Sequence, residues 1–303
     1  MEITGRIIQS TGKWYKVSTD DGIIDSRLPG KFRLDKKEVT NPVTVGDYVD
    51  IEIGDDGTGS IQKIHERENY IPRQATHGRR GEQTLVSNID IAWVIQSVRE
   101  PKINIGFIDR FLVTCEAYQI PAGIVFNKMD LAKINDNEFV VDISQLYESL
   151  GYKTIRTSIN QSSSIDNLRS LLVNKTSVFI GPSGVGKTSL LNEIIPEADQ
   201  RVGKISSYSQ KGKHTTTYAS LIPIPEGGFI VDTPGIREFG LVNIDKSDLW
   251  FYFPEMVEPG QNCRFNNCTH LHEPGCAVAE AYESGEIDPD RYNSYLNILE
   301  SIS

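Results

Sequence analysis

The order of two short motifs constrains this chain more than any other feature. Gly181-Pro182-Ser183-Gly184-Val185-Gly186-Lys187-Thr188 has the form of a phosphate-binding loop, and Asn127-Lys128-Met129-Asp130 that of a loop that reads guanine. In an ordinary guanine-nucleotide domain the phosphate loop comes first. Here it comes second, which predicts a circularly permuted α/β domain. The permutation also predicts that the two ends of the chain carry further domains that use the nucleotide state.

The residues around the motifs supply the rest of the chemistry. Backbone N–H groups can wrap phosphate oxygens only where side chains leave room, and Gly181, Gly184 and Gly186 leave it. Lys187 is placed to neutralise the β and γ phosphates and the Thr188 hydroxyl to ligate Mg²⁺. Ser189 follows in the first turn of a helix whose positive end faces the phosphates. The apolar strand Phe229-Ile230-Val231 then runs into Asp232-Thr233-Pro234-Gly235. Asp232 is expected to hold the Mg²⁺ shell through water and the Gly235 N–H to meet the γ-phosphate, as in a switch element. Between these segments lies Lys213-His214-Thr215-Thr216-Thr217, where Thr216 or Thr217 is the candidate to complete the Mg²⁺ shell.

Base choice rests on Asp130, whose carboxylate can accept two hydrogen bonds from guanine N1–H and its amine, which adenine cannot supply. The Lys128 stem is expected on the face of the base, with Asn127 bracing the loops. Thr157-Ser158-Ile159, at the end of another strand, can offer a backbone N–H at Ser158 to guanine O6. An ATP-dependent kinase would leave Asp130 without a role. Many GTPases carry glutamine directly after Asp-x-x-Gly, but Ile236 stands there and cannot orient water. His214 is therefore the candidate to position or deprotonate water, the alternative being a histidine that contacts RNA phosphate.

The pattern of elements predicts a multi-domain protein. Residues 1–70 read as five short strands with turns at Asp21-Gly22 and Asp56-Gly57, which suits an OB-type β-barrel, or alternatively an SH3-like one. Residues 71–88 read as a basic linker. Residues 89–242 alternate strands and helices, the pattern of a central circularly permuted α/β P-loop GTPase domain with a mostly parallel sheet. Residues 243–303 read as a C-terminal helical zinc-binding domain. There Cys263-x4-Cys268-x-His270-x5-Cys276 offers three thiolates and an imidazole, a tetrahedral set with no open position, hence structural; His272 is the alternative to His270. Cys115 shares a helical face with Ile108, Phe111 and Leu112 and reads as a buried thiol.

A net charge of −10 argues against nucleic acid contacting the chain at large. Two acid-free runs remain, one with Arg73, His77, Arg79 and Arg80, the other with Arg201, Lys204, Lys211 and Lys213; either can bind phosphate, the alternative being two solvated loops. No apolar run approaches the ~20 residues that cross a bilayer, and the first residues lack a signal peptide's apolar core. A cytoplasmic monomer is expected, with no membrane partner.

Taken together, these motifs resemble the RsgA (YjeQ) family of circularly permuted GTPases, over essentially the whole chain. Thr188 stands where serine is commoner in that family, which keeps a Mg²⁺ ligand; Ile159 stands where alanine is usual, which weakens the O6 assignment. The resemblance implies GTP hydrolysis to GDP, with the 30S ribosomal subunit and its 16S rRNA as partners and stimulation there. It also implies Mg²⁺ with GTP and one structural Zn²⁺. The alternatives are a permuted GTPase of the large subunit and an RNA-binding scaffold with a fixed nucleotide site.

Overall fold

A computed structural model describes residues 2–30, 32, 42–73, 83–196, 219–232 and 244–302. In chain order the strands and helices are β1 (Glu2–Ser10), β2 (Trp14–Thr19), β3 (Gly22–Arg27), β4 (Tyr48–Ile53), β5 (Gly59–Ile64), β6 (Tyr70–Arg73), β7 (Gln83–Ser87) and β8 (Ile91–Ser97). There follow α1 (Ile105–Ala117), β9 (Ala122–Asn127), α2 (Ile134–Ser149), β10 (Lys153–Arg156), α3 (Ser162–Leu172), β11 (Thr176–Ile180) and α4 (Lys187–Ile194). The last are β12 (Ser220–Pro223), β13 (Phe229–Asp232), α5 (Pro254–Gly260), α6 (Ala277–Ser284) and α7 (Pro289–Ser301). The described residues form two compact units. One draws on residues 2–93, 159–180 and 186–232, the other on 94–158, 181–185 and 244–302.

In the first unit the amino-terminal strands close on themselves. They run in the order β1-β2-β3-β5-β4, and β1 pairs with β4 as well as with β2, so the five strands leave no open edge. This is the OB-type reading. Alternation produces it: Val49 and Ile51 point into the barrel with Ile7, Tyr15, Val17 and Ile61, while Tyr48 and Glu52 on the alternate positions are exposed. The Asp21-Gly22 turn joins β2 to β3, with Thr19 opposite Gly22. Beyond the barrel, β11 and β13 are parallel and β12 joins β13 antiparallel. The buried Arg6 of β1 binds the start of this sheet, donating to the Thr176 hydroxyl at 2.5 Å and to the Asn88 and Gly46 carbonyls. A buried arginine satisfied by neutral acceptors gives no periodic signal, and the sequence does not reveal it.

The linker expected over 71–88 is corrected at both ends. β6 and β7 pair antiparallel, with Tyr70 opposite Ser87 and Ile71 opposite Val86. Ile71 and Val86 are buried, and two apolar side chains facing one core suffice to form a ladder that the polar surroundings conceal. The basic run His77, Arg79 and Arg80 lies outside the described residues.

In the second unit the strand order is β10-β9-β8, with β9 and β10 parallel. α2 begins at Ile134, with Lys133 as its N-cap. The Asp136 carboxylate accepts the Lys133 N–H at 2.7 Å, so a polar first turn is capped without an apolar stripe. Cys115 is fully buried, as its register on α1 predicts, and burial pushes its thiol well up. The carboxyl-terminal helices pack around Phe253, Met256, Val278, Tyr295 and Leu299. Arg291 of α7 is buried between Asp109 of α1 and Glu255 of α5. Burial alone would lower its pKa, but the two carboxylates outweigh that and raise it. Among the described residues no helix is long and apolar enough to cross a membrane.

Candidate functional site

β11 ends at Ile180 and α4 begins at Lys187, so the loop 181–186 lies between strand and helix as a phosphate loop requires. A Cβ at position 181 would lie 2.3 Å from the Ile95 carbonyl oxygen, so this position admits glycine alone. Gly186 caps α4 in the left-handed region, with φ 97°. The first turn of α4 carries no acid, which preserves the positive pole of its N-terminus. Lys187 is half-buried, and Thr188 and Ser189 are exposed, as are Ser183 and Gly184 of the loop. Asp232 is the last residue of β13, paired with Ser220. Burial raises its carboxyl above the usual range. A nearby cation would reverse that shift. His214, Thr216, Thr217 and Gly235 lie outside the described residues.

The base loop leaves β9 at Asn127, and Lys128 turns it sharply through a left-handed conformation with φ 59°. Asn127 is buried and braces two neighbours. Its Nδ2 donates to the Val185 carbonyl at 2.9 Å, and its Oδ1 accepts from the Thr157 hydroxyl at 2.9 Å. One amide thus ties the base loop to the phosphate loop and to the end of β10. The Met129 N–H donates to the Thr157 carbonyl at 3.1 Å, which fixes the turn. Asp130 is exposed, and the Ser158 hydroxyl donates to its Oδ1 at 2.6 Å. The predicted residues Asn127, Asp130, Ser158 and Val185 therefore converge. Thr157 was read only as a neighbour of Ser158, yet its hydroxyl is what locks Asn127; a Thr-Ser pair after a strand was the available signal.

Cys263, Cys268, His270 and Cys276 bring their ligand atoms within 4.8 Å of one another. His270 Nδ1 is 3.4 Å from Cys276 Sγ and 3.6 Å from Cys263 Sγ. His270 stands in the group, while His272 is exposed and outside it. Burial pushes the Cys268 thiol up to about 12 and also raises Cys276, so thiolates could persist here only around a cation. The donor set fits a closed, tetrahedral structural metal. His270 is held at φ 58°, its carbonyl accepting the Tyr292 hydroxyl at 2.6 Å, while the Tyr295 hydroxyl bonds the Thr269 carbonyl.

Glu273 holds this loop in shape, accepting the Thr269 N–H and hydroxyl and the Leu271 and His272 N–H groups. Burial would raise its pKa, but these donors outweigh burial and hold it at about 2. A carboxyl depressed on folding stabilises the fold above its unfolded pKa and loses that contribution as pH falls toward the folded value. Between pH 5 and 3, stability should therefore drop less steeply in Glu273→Gln than in the wild type. Urea titrations across that range test this; equal slopes would remove Glu273 as the loop's brace.

Comparison with known proteins agrees with this geometry. Residues 4–61 match the RsgA N-terminal domain and residues 64–242 the RsgA GTPase. The small ribosomal subunit biogenesis GTPase RsgA of Phocaeicola vulgatus is 41% identical over 297 residues, spanning 98% of this chain and 96% of its own length. The protein of the same name from Flavobacterium johnsoniae is 41% identical over 302 residues, spanning 98% and 93%. Among solved structures, YjeQ from Thermotoga maritima is similar with a TM-score of 0.83 at 31% identity, over 100% of this chain and 99% of that one. YloQ, described as a circularly permuted GTPase, has a TM-score of 0.79 at 31% identity, over 100% and 95%. With both family matches, identity along nearly the whole length and a permuted motif order whose base and phosphate loops meet at Asn127, the chain belongs to the RsgA family of circularly permuted GTPases and is a GTP hydrolase.

Proposed function

We propose that this GTPase acts as a nucleotide-controlled switch in assembly of the small ribosomal subunit, binding the 30S particle and its 16S rRNA in the cytoplasm as a monomer. The observation that carries the ribosomal part is the name shared by relatives 41% identical across 98% of this chain. Asn127 supports the nucleotide part, since its bond to Val185 couples base and phosphate recognition.

In this reading Asp130 and the Ser158 backbone read guanine, Lys128 covers the base, and residues 181–189 hold the phosphates with Lys187 over the β and γ groups. Thr188, Thr216 and Asp232, the last through water, would hold Mg²⁺, which when bound screens charge on the transferring phosphoryl group. His214 would position the water. A Zn²⁺ held by Cys263, Cys268, His270 and Cys276 would order the carboxyl-terminal helices. The functional division is a barrel over 1–70, a permuted domain over 89–242 and a zinc domain over 243–303.

The permutation supplies the switch. In sequence, the segment expected to meet the γ-phosphate is followed at once by residues 243–303, so loss of that phosphate would act on the metal domain. A nucleotide shifts such an equilibrium only through unequal affinity for its states. The triphosphate form should therefore bind 30S subunits about 5- to 150-fold more tightly than the diphosphate form, the usual range for linked sites. Sedimentation with GDP or a non-hydrolysable GTP analogue measures this, alongside turnover with and without 30S subunits. Equal affinities would leave a constitutive RNA-binding factor.

A further inference from the structure

We propose that Arg99 and Asp136 form a clasp that positions Lys128 in the base pocket and slows nucleotide release. The proposal rests on the reading of Asn127-Lys128-Met129-Asp130 as the guanine loop.

Lys128 is held at both ends. Its backbone sits in the left-handed turn at φ 59°, and its Nζ donates to the Glu100 carbonyl at 2.6 Å. Its stem is thereby stretched between two fixed points. Glu100 is also left-handed, with φ 56°. Non-glycine residues keep such conformations only where their surroundings over-determine them. The bonds that do so are in place around residues 97–104. The Ser97 hydroxyl donates to the Pro101 carbonyl at 2.6 Å, and the Asn104 N–H donates to Gln96 Oε1 at 3.1 Å. Gln96 is buried and anchors that bond to β8.

Arg99 ties this loop to the start of α2. Its Nε donates to Asp136 Oδ2 at 2.6 Å. The same oxygen accepts the Lys133 N–H at 2.7 Å, the bond that caps α2 just after the Met129–Leu131 turn. One carboxylate oxygen therefore joins the loop that holds the tip of Lys128 to the start of α2, two residues beyond the turn that carries Asp130. The pair is partly shielded, with side chains 32% and 24% exposed, so its charges are screened less than those of an open surface pair. A lysine whose tip is released can swing off the base, and that loss appears in the dissociation rate.

Stopped-flow release of fluorescent GDP from the full chain tests the clasp in four proteins: wild type, Arg99→Ala, Lys128→Ala and the double variant. Arg99→Ala should speed release by about three- to tenfold, the range expected of one partly shielded, charge-assisted ion pair. Arg99→Lys should recover part of that, since it keeps the charge beside Asp136. In the Lys128→Ala background, Arg99→Ala should change nothing, because the group it positions is gone. A merely structural Arg99 would speed release equally in both backgrounds, and that additivity would overturn the clasp alone. Unchanged release in Arg99→Ala would overturn it too. A silent Lys128→Ala would overturn the base-loop reading and the clasp with it. Nucleotide-free melting curves identify any variant that has lost its fold, in which case Arg99→Lys carries the comparison.

Discussion

Asp130→Asn should weaken GTP binding by about 10²- to 10⁴-fold and improve binding of xanthosine triphosphate. The carboxylate offers two acceptors to guanine N1–H and the exocyclic amine, each charge-assisted and contributing roughly 1.5–3 kcal/mol. Replacing one oxygen by an amide sets a donor against a donor, and only the second acceptor survives. Xanthine carries a carbonyl where guanine carries the amine, so the new amide finds a partner there. The geometry supports a sharp effect. Asp130 does not wander on the surface, because the Ser158 hydroxyl holds its Oδ1 at 2.6 Å and the Met129 N–H pins the turn to Thr157. A prepositioned carboxylate has less rotamer entropy to lose on binding. Competition titrations with GTP, XTP and ATP measure the change. Wild-type protein that binds ATP as well as GTP would remove Asp130 from base recognition altogether.

Removing the metal should have the larger structural effect. Purified protein is expected to retain one zinc per chain through desalting, and less than half an equivalent would contradict a structural site. Closed sites with three thiolates and an imidazole contribute on the order of 10 kcal/mol to the fold they organise. In this chain the contribution falls on one region. Cys268 and Cys276 lie in the buried cluster that also contains Phe253 and Tyr295, the His270 ring faces Tyr295, and Cys263 packs against the cluster. Without a cation, burial favours protonated thiols that no longer attract one another through a shared ion. Hydrogen exchange after chelation should thus show α5, α6 and α7 losing protection while β11 and α4 keep theirs. Zinc affinity should fall as pH falls, because protons compete for the same thiolates and imidazole. Uniform loss of protection across the whole chain would mean that the metal is not local in its effect.

The order of the motifs, the glycines at 181 and 186 and the Cys-Cys-His-Cys spacing were legible along the chain because each depends on local chemistry. A tight loop needs glycine, a helix must follow it, and a metal needs donors within reach of one another. The barrel was legible for a similar reason, since alternation at Tyr48–Ile53 states which side faces inward. Other features depend on partners distant in sequence and had no such signal. The strand β6 inside the expected linker exists because Val86 lies opposite Ile71. Thr157 acquires its role from an amide thirty residues away. Arg291 stays charged in the core because Asp109, 182 positions earlier, and Glu255 meet it there. Asp136 has no partner legible in sequence, and only folding sets Arg99 against the oxygen that caps α2. Local sequence thus determined which chemistry this protein could perform. Tertiary structure decided which side chains hold that chemistry in place, because a hydrogen bond or ion pair between distant residues leaves no periodicity along the chain.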